Sequence, residues 1–146
     1  MSARPYENIL LPVDLGHASS WRWALPRALD IARMHGGRLH VLTVIPSFGM
    51  PVVGSFFPAD FADRARKEAE QAVAAFIREN VPEDVQADGY VAVGTIYDEI
   101  IRAADRIGCD LIVLASHRPE MKDYLLGTNA ARVVRHARQS VLVVRS

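Results

Sequence analysis

Short runs of hydrophobic residues alternate along the chain with longer stretches in which hydrophobic residues recur at three- and four-residue spacing. Five of the short runs predict strands: Tyr6 to Val13, Arg38 to Ile45, Val85 to Val93, Asp110 to Ala115 and Ser140 to Arg145. The first, fourth and fifth are continuously apolar, which is typical of strands covered on both faces. The alternation predicts βαβ units, and therefore a single α/β domain with one parallel sheet and helices on both faces.

The stretch between the first two predicted strands reads as a helix. Ser19 or Ser20 can cap it, and Gly36-Gly37 supplies the usual stop signal. Pro26 lies inside the stretch and removes a backbone hydrogen bond. We therefore expect either a kink or a later helix start near Ala24 to Arg27.

Three further helices are predicted. The second begins near Phe61 and has a hydrophobic stripe, formed by Ala65, Ala69, Ala72, Val73, Phe76 and Ile77. The third runs from about Tyr97 to Ile107, ends at Gly108 and points three residues inward, namely Ile100, Ile101 and Ala104. The fourth follows Gly127-Thr128 and extends to about His136.

One irregular segment, Pro46 to Pro58, is long and unusually apolar for a loop, with Phe48, Phe56 and Phe57 in it. Such a segment is expected either to pack against a partner subunit or to act as a lid.

Length and composition fit one compact domain spanning residues 1–146, since half of the 146 residues are apolar. Basic and acidic residues both total 17, so no global charge imbalance points to nucleic acid or a membrane surface. The single cysteine, Cys109, sits among apolar neighbours and reads as a packed thiol. The early apolar run Ile9-Leu10-Leu11 is too short for a signal sequence or a membrane span, and we expect a cytoplasmic protein.

The first candidate for chemistry is the end of the first strand, Pro12-Val13-Asp14. In open α/β sheets ligands bind outside the carboxyl ends of the strands, where the strand order reverses. The Asp14 carboxylate could therefore meet a ribose hydroxyl or a magnesium ion bound to a phosphate. A cap on the following helix explains the same residue equally well.

The second candidate combines Ser116-His117-Arg118, after the fourth strand, with Gly127-Thr128-Asn129 at the start of the last helix. Free N–H groups at a helix amino terminus bind anions, and an arginine can grip phosphate oxygens with two donors. Taken alone, a Gly-Thr pair before a helix is more often a turn and cap, and His117 and Arg118 could equally be solvated loop side chains.

Several other site classes lack their sequence signatures. The five histidines show no metal-ligand spacing with one another or with Cys109, so no transition-metal site is predicted. No Gly-x-Ser-x-Gly elbow and no Walker-type Gly-Lys-Ser/Thr loop occurs, and no general acid/base pair is evident, so no catalytic residue is assigned.

The ordered motifs of the chain resemble those of the universal stress protein family. That family pairs an early strand ending in Pro-x-Asp with a later glycine motif that ends in Gly-Ser or Gly-Thr, and it closes on a strand reading Val-Leu-Val-Val. The matching segments here are Ile9 to Asp14, Asp110 to Leu114, Leu125 to Thr128 and Val133 to Arg145. Leu42 to Ser47 and Ala115 to Pro119 are similar to the enterobacterial F/G-type branch.

The resemblance implies a five-stranded parallel sheet of the adenine nucleotide α-hydrolase-like type, with strand order 3-2-1-4-5. It also implies ATP or AMP, with magnesium accompanying ATP, between the first and fourth strands. By carry-over, the adenosine would contact Pro12, Val13, Asp14, Val44, Leu114 and Ala115. The phosphates would contact Ser116, His117, Arg118, Gly127, Thr128 and Asn129, with Asp14 as a ligand of nucleotide-bound magnesium.

The chain departs from the family's binding motif in two respects. Ala115 and Arg118 stand where two early glycines are usual, and the spacer to Gly127 is one residue shorter. A β-carbon limits the approach of backbone to phosphate, while an arginine adds positive charge. We therefore expect a nucleotide bound in a changed pose.

The resemblance also implies a homodimer formed through Ser140 to Arg145, with a tetramer as an extension, and a protein that responds to stress as a nucleotide-dependent binding or signalling module. Two alternatives stay open: a slow ATP-hydrolysing enzyme, and an interaction subunit of the same fold that binds no nucleotide. A phospho-receiver domain is set aside, because no phosphorylatable aspartate ends the third strand and no lysine ends the fifth.

Overall fold

A computed structural model of the protein describes residues 5–46, 61–116 and 127–145. All five predicted strands are present, with small shifts at their ends: β1 Asn8–Pro12, β2 Arg38–Pro46, β3 Ala87–Gly94, β4 Leu111–Ala115 and β5 Ser140–Val144. The helices are α1 Ala24–His35, α2 Phe61–Asn80, α3 Ile96–Ile107 and α4 Thr128–His136. The apolar segment from Pro46 to Pro58 falls, beyond Pro46 itself, outside the described residues.

The strands form one parallel sheet in the order β3-β2-β1-β4-β5, as expected. Successive residues of a strand point to opposite faces, and this alternation separates two hydrophobic clusters. Ile9 and Leu11 face the side covered by α1 and α2, whereas Leu10 faces the side covered by α3 and α4. Because both faces are covered, β1 is fully buried at these three positions.

Helix α1 begins later than its capping signals suggested. A short 3₁₀ turn at Ala18–Ser20 precedes it, and the N-cap residue is Trp23, whose side chain makes no capping bond. The prediction that Ser19 or Ser20 caps the helix is therefore wrong. The later start near Ala24 is confirmed, because Pro26 falls within the first turn, where its missing N–H costs nothing.

Helices α2 and α3 bury the faces that their spacing predicts, with one exception. Val73 and Phe76 of α2 are buried, but Ala72 is exposed, so its place in the buried stripe is wrong. Helix α3 ends at Gly108, whose φ of 83° lies in the left-handed region that glycine tolerates.

The thiol of Cys109 is buried at the end of the loop before β4, and burial raises its pKa to about 12. A thiol that stays protonated at neutral pH is unreactive, which supports its interpretation as a packed residue. Among the described residues, no helix is both long and apolar enough to cross a bilayer.

Candidate functional site

A cleft of about 690 Å³ opens at the carboxyl ends of the central strands. It lies where the sheet order reverses, since the chain proceeds from β1 toward β3 on one side and from β4 toward β5 on the other. This is the position at which open α/β sheets bind ligands, and the volume lies in the range of small-molecule sites, about 300–1,000 Å³.

One half of the cleft is apolar. Its wall combines the ends of β1, β2 and β4 with the start of α3, contributed by Pro12, Val13, Leu42, Val44, Ile96, Ile100 and Leu114. Ile100 and Leu114 are buried, while Val44 and Ile96 are partly exposed toward the opening. A flat aromatic group placed against this wall would exchange water for hydrocarbon.

The other half is polar and is dominated by backbone groups at the start of α4. Gly127 is the N-cap residue, and the N–H of Ala131 donates to its carbonyl at 2.9 Å. The N–H groups of the three preceding residues, Thr128 to Ala130, therefore have no acceptor inside the helix. No acidic side chain lies in this first turn, so the site remains suited to an anion.

Asp14 stands at the lip of the cleft, at the start of a tightly bonded loop. The N–H of Gly16 donates to Asp14 Oδ1 at 3.0 Å, and His17 Nδ1 lies 3.0 Å from Asp14 Oδ2. The Asp14 N–H in turn donates to Ser20 Oγ at 2.8 Å, and the Ser20 hydroxyl lies 2.9 Å from the Asp14 carbonyl oxygen. The carboxylate thus closes a local turn and does not cap α1.

Most of the residues expected at the site lie together in this cleft. Its lining includes Pro12, Val13, Asp14, Val44, Leu114, Ala115, Ser116, Gly127 and Asn129. The side chain of Thr128 is exposed and does not line the cleft, although its N–H belongs to the first turn of α4. His117 and Arg118 lie outside the described residues.

The cleft is also lined by residues that were not predicted to lie there: His17, Ser19, Ser20, Leu42, Pro46, Ile96, Ile100 and Ala130. Ile100 was interpreted only as a core residue. The spacing of Ile96 and Ile100, one turn apart at the start of a helix that follows a strand's carboxyl end, was the available signal. His17 follows Asp14 by three residues, which places it within reach of that carboxylate in a turn.

The described lining of the cleft carries few ionisable side chains. Asp14 and His17 are its ionisable side chains, and no described lysine or arginine lines the cleft. Positive potential there comes from the backbone N–H groups of α4. Across the described residues, no three His, Cys, Asp or Glu side chains are grouped so that they could hold a metal ion.

Comparison with known proteins gives matches along nearly the whole chain. A family model described as the universal stress protein family matches residues 5–145. Universal stress protein G of Escherichia coli O157:H7 is 31% identical over 143 residues, which are 96% of this chain and 99% of that protein.

Two solved structures share the fold. A universal stress protein in complex with cAMP is 24% identical, with a TM-score of 0.61, over 97% of this chain and 98% of that one. The universal stress protein from Archaeoglobus fulgidus in complex with dAMP is 20% identical, with a TM-score of 0.62, over 95% and 98%.

Proposed function

Because this chain belongs to the universal stress protein family, we propose that it binds an adenine nucleotide, ATP or AMP, in the cleft between β1 and β4. Its similarity to universal stress protein G is consistent with the enterobacterial G-type branch. The observation that carries the proposal is the composition of the cleft, in which an apolar slot adjoins the open amino terminus of a helix. The solved relatives that hold cAMP and dAMP support the same ligand class.

The base would occupy the apolar half. Val44 and Ile96 would contact its faces, and Leu114 would lie below the sugar. Burial of an aromatic base against such side chains contributes about 25 cal/mol for each Å² of apolar surface removed from water. Most of the affinity would therefore come from the base, with polar groups fixing its orientation.

The phosphate would occupy the polar half, against the N–H groups of Thr128, Asn129 and Ala130. These groups are fixed by α4, so that no side chain has to be ordered when the anion arrives. The Ser116 N–H already donates to the Val144 carbonyl at 2.9 Å, which leaves the Ser116 hydroxyl as the donor at that position. Ala115 and Arg118, which replace the usual glycines, would change the path of the phosphates without removing the α4 contacts.

The Asp14 carboxylate would accept from ribose hydroxyls, and with ATP it would be a ligand of magnesium. Magnesium is usually held by one or two carboxylates together with substrate phosphates and water, so a single aspartate that lines the same cleft as the start of α4 fits that ion. Magnesium would supply charge neutralisation of the phosphates. The chain's own contribution would be to orient the sugar and to hold the carboxylate.

The biological role that follows is that of a stress-responsive binding or signalling module in the cytoplasm. The nucleotide would stabilise one arrangement of β1, β4 and α4, and a partner could distinguish that arrangement from the free one.

Thermal unfolding provides the direct test. A ligand that binds only the folded protein, at about a hundredfold excess over its dissociation constant, stabilises it by roughly 2.7 kcal/mol, or several degrees. We expect AMP and Mg-ATP to raise the melting temperature and GTP to leave it unchanged, in protein first freed of copurified nucleotide. No shift with either adenine nucleotide would contradict the proposal and favour an interaction subunit without nucleotide.

We also propose a homodimer formed through the last strand, from Ser140 to Arg145. Strand β5 lies at the edge of the sheet, and its apolar residues from Val141 to Val144 are only partly buried. An edge strand of this kind pairs readily with another chain. A tetramer could then assemble from two such dimers.

Val143→Pro is expected to convert the dimer to a monomer. The Val144 carbonyl points toward β4, because the Ser116 N–H donates to it, so the peptide groups of Val143 point to the open edge. Proline there removes an edge donor without breaking a bond to β4. Light scattering after size exclusion would measure the mass, with Val143→Thr as the control that keeps the N–H. A dimeric Val143→Pro variant would rule out pairing through this edge.

A further inference from the structure

We propose that His17 is a positioning residue that makes the cleft selective for ribonucleotides over deoxyribonucleotides. The inference rests on the proposed function and extends it to the sugar. In the loop after β1, the carboxylate of Asp14 accepts one hydrogen bond on each oxygen, from the Gly16 N–H and from His17 Nδ1, both at 3.0 Å.

These two bonds favour one direction of the carboxylate over the others. An ionised carboxylate only accepts hydrogen bonds, so His17 Nδ1 carries a hydrogen and donates a hydrogen bond to Asp14 Oδ2. Each carboxylate oxygen has a second lone-pair direction, and the local donors leave it free. The result is a pair of adjacent acceptors held at the lip of the cleft, which matches the adjacent 2′- and 3′-hydroxyls of ribose. A deoxyribose offers one hydroxyl to this pair.

Among the described residues, the His17 side chain makes no hydrogen bond other than the one to Asp14. It is the N-cap residue of the 3₁₀ turn at Ala18–Ser20, but its side chain makes no capping bond. Its side chain is 75% exposed and that of Asp14 is 65% exposed, so the bond between them adds little to stability. His17 and Asp14, whose side chains contact each other, both line the cleft.

The loop that carries His17 is fixed independently of the imidazole. The His17 N–H donates to the Asp14 carbonyl at 3.0 Å, and the Ser20 N–H donates to the His17 carbonyl at 3.0 Å. These backbone bonds would survive replacement of the side chain. Removing the imidazole therefore releases Asp14 Oδ2 without removing the turn.

The test compares AMP with 2′-deoxy-AMP by calorimetry, without magnesium, in the wild type, His17→Ala and His17→Asn. Hydrogen bonds to charged groups are worth about tenfold or more in affinity, so we expect the wild type to prefer AMP by roughly tenfold. In His17→Ala this preference should fall to about twofold, mainly through weaker AMP binding. In His17→Asn the amide can donate from nearly the position of Nδ1, and the preference should largely return.

The outcomes separate the two proposals. If neither nucleotide binds the wild type, the proposed function fails and this inference fails with it. If both nucleotides bind the wild type equally well, the proposed nucleotide site is supported and the proposed selectivity for ribose is wrong. If His17→Ala weakens both ligands by the same factor and keeps their ratio, His17 supports the loop and does not position Asp14.

Discussion

Gly127→Glu is expected to weaken the binding of AMP and ATP by at least about a hundredfold while the fold is retained. Gly127 is buried at the N-cap of α4, directly before the N–H groups proposed to hold the phosphate. A glutamate there brings a carboxylate that the helix terminus attracts, and this carboxylate would compete with the ligand for the same donors. Its bulk would also fill part of the cleft.

Gly127→Ser is the matched control. The φ of Gly127 is −60°, so a side chain at this position causes no backbone strain, and serine is a favourable N-cap residue without charge. We expect its affinity for AMP to stay within a few fold of the wild type. Calorimetry would measure affinity, and the melting temperature of the free proteins would verify the fold. Unchanged affinity in Gly127→Glu would remove the start of α4 from the site.

The second large effect concerns a polar network on the α3 side of the sheet, in which His40 is buried and its partners Asn8 and Tyr90 are partly buried. Replacement of His40 by leucine is expected to lower the free energy of unfolding by about 2–4 kcal/mol, since each polar group left without a partner costs roughly 1–3 kcal/mol. His40 is 4% exposed, and its ring joins three strands. Nδ1 lies 2.8 Å from the Tyr90 hydroxyl, and Nε2 lies 2.9 Å from Asn8 Oδ1. The amide oxygen only accepts, so Nε2 carries the proton and Nδ1 accepts from Tyr90.

A double-mutant cycle identifies the cause of the loss. In the His40→Leu background, the further change Tyr90→Phe removes the hydroxyl that has lost its partner and should restore part of the stability, whereas Tyr90→Phe alone should destabilise. Denaturant unfolding would supply the free energies. If the two changes are simply additive, the loss comes from packing around His40 and not from the hydrogen bond.

The same network makes stability depend on pH. Burial lowers the pKa of His40 below its ordinary value of 6.5, the nearby Asp88 raises it by a smaller amount, and Arg38 lowers it. Below about pH 6.5 the unfolded chain takes up a proton that the folded chain resists, so this contribution to stability is complete above that pH and is lost as the pH falls. Unfolding at pH 7.5 and pH 5 should show a smaller pH dependence in His40→Leu than in the wild type.

Much of the fold could be predicted from hydrophobic spacing, because buried strands and amphipathic helices differ in period. The start of α1 could not be predicted from Ser19 and Ser20, which lie before the helix. Ser20 has the right residue type for a cap, but its hydroxyl bonds the backbone of Asp14 and His17 instead. Local signals of this kind compete with tertiary partners that a sequence does not display.

The candidate site was predictable in part. Asp14 and Gly127 follow from the rule that ligands bind at carboxyl strand ends and helix amino termini. The place of His40 in a network was not predicted, although a histidine between Leu39 and Val41 in a buried strand requires a polar partner. Its partners come from β1 and β3, and only the register of the sheet identifies them.

The central position of the first strand has a consequence for the synthesis of the protein. Strand β1 completes its pairing only with β4, roughly a hundred residues later in the chain. At about 5–20 residues per second, a ribosome needs on the order of ten seconds to deliver that partner. Until then the backbone of Ile9 and Leu10 lacks its partner strand on the β4 side. We therefore expect the nascent chain to be more prone to aggregation than the folded protein.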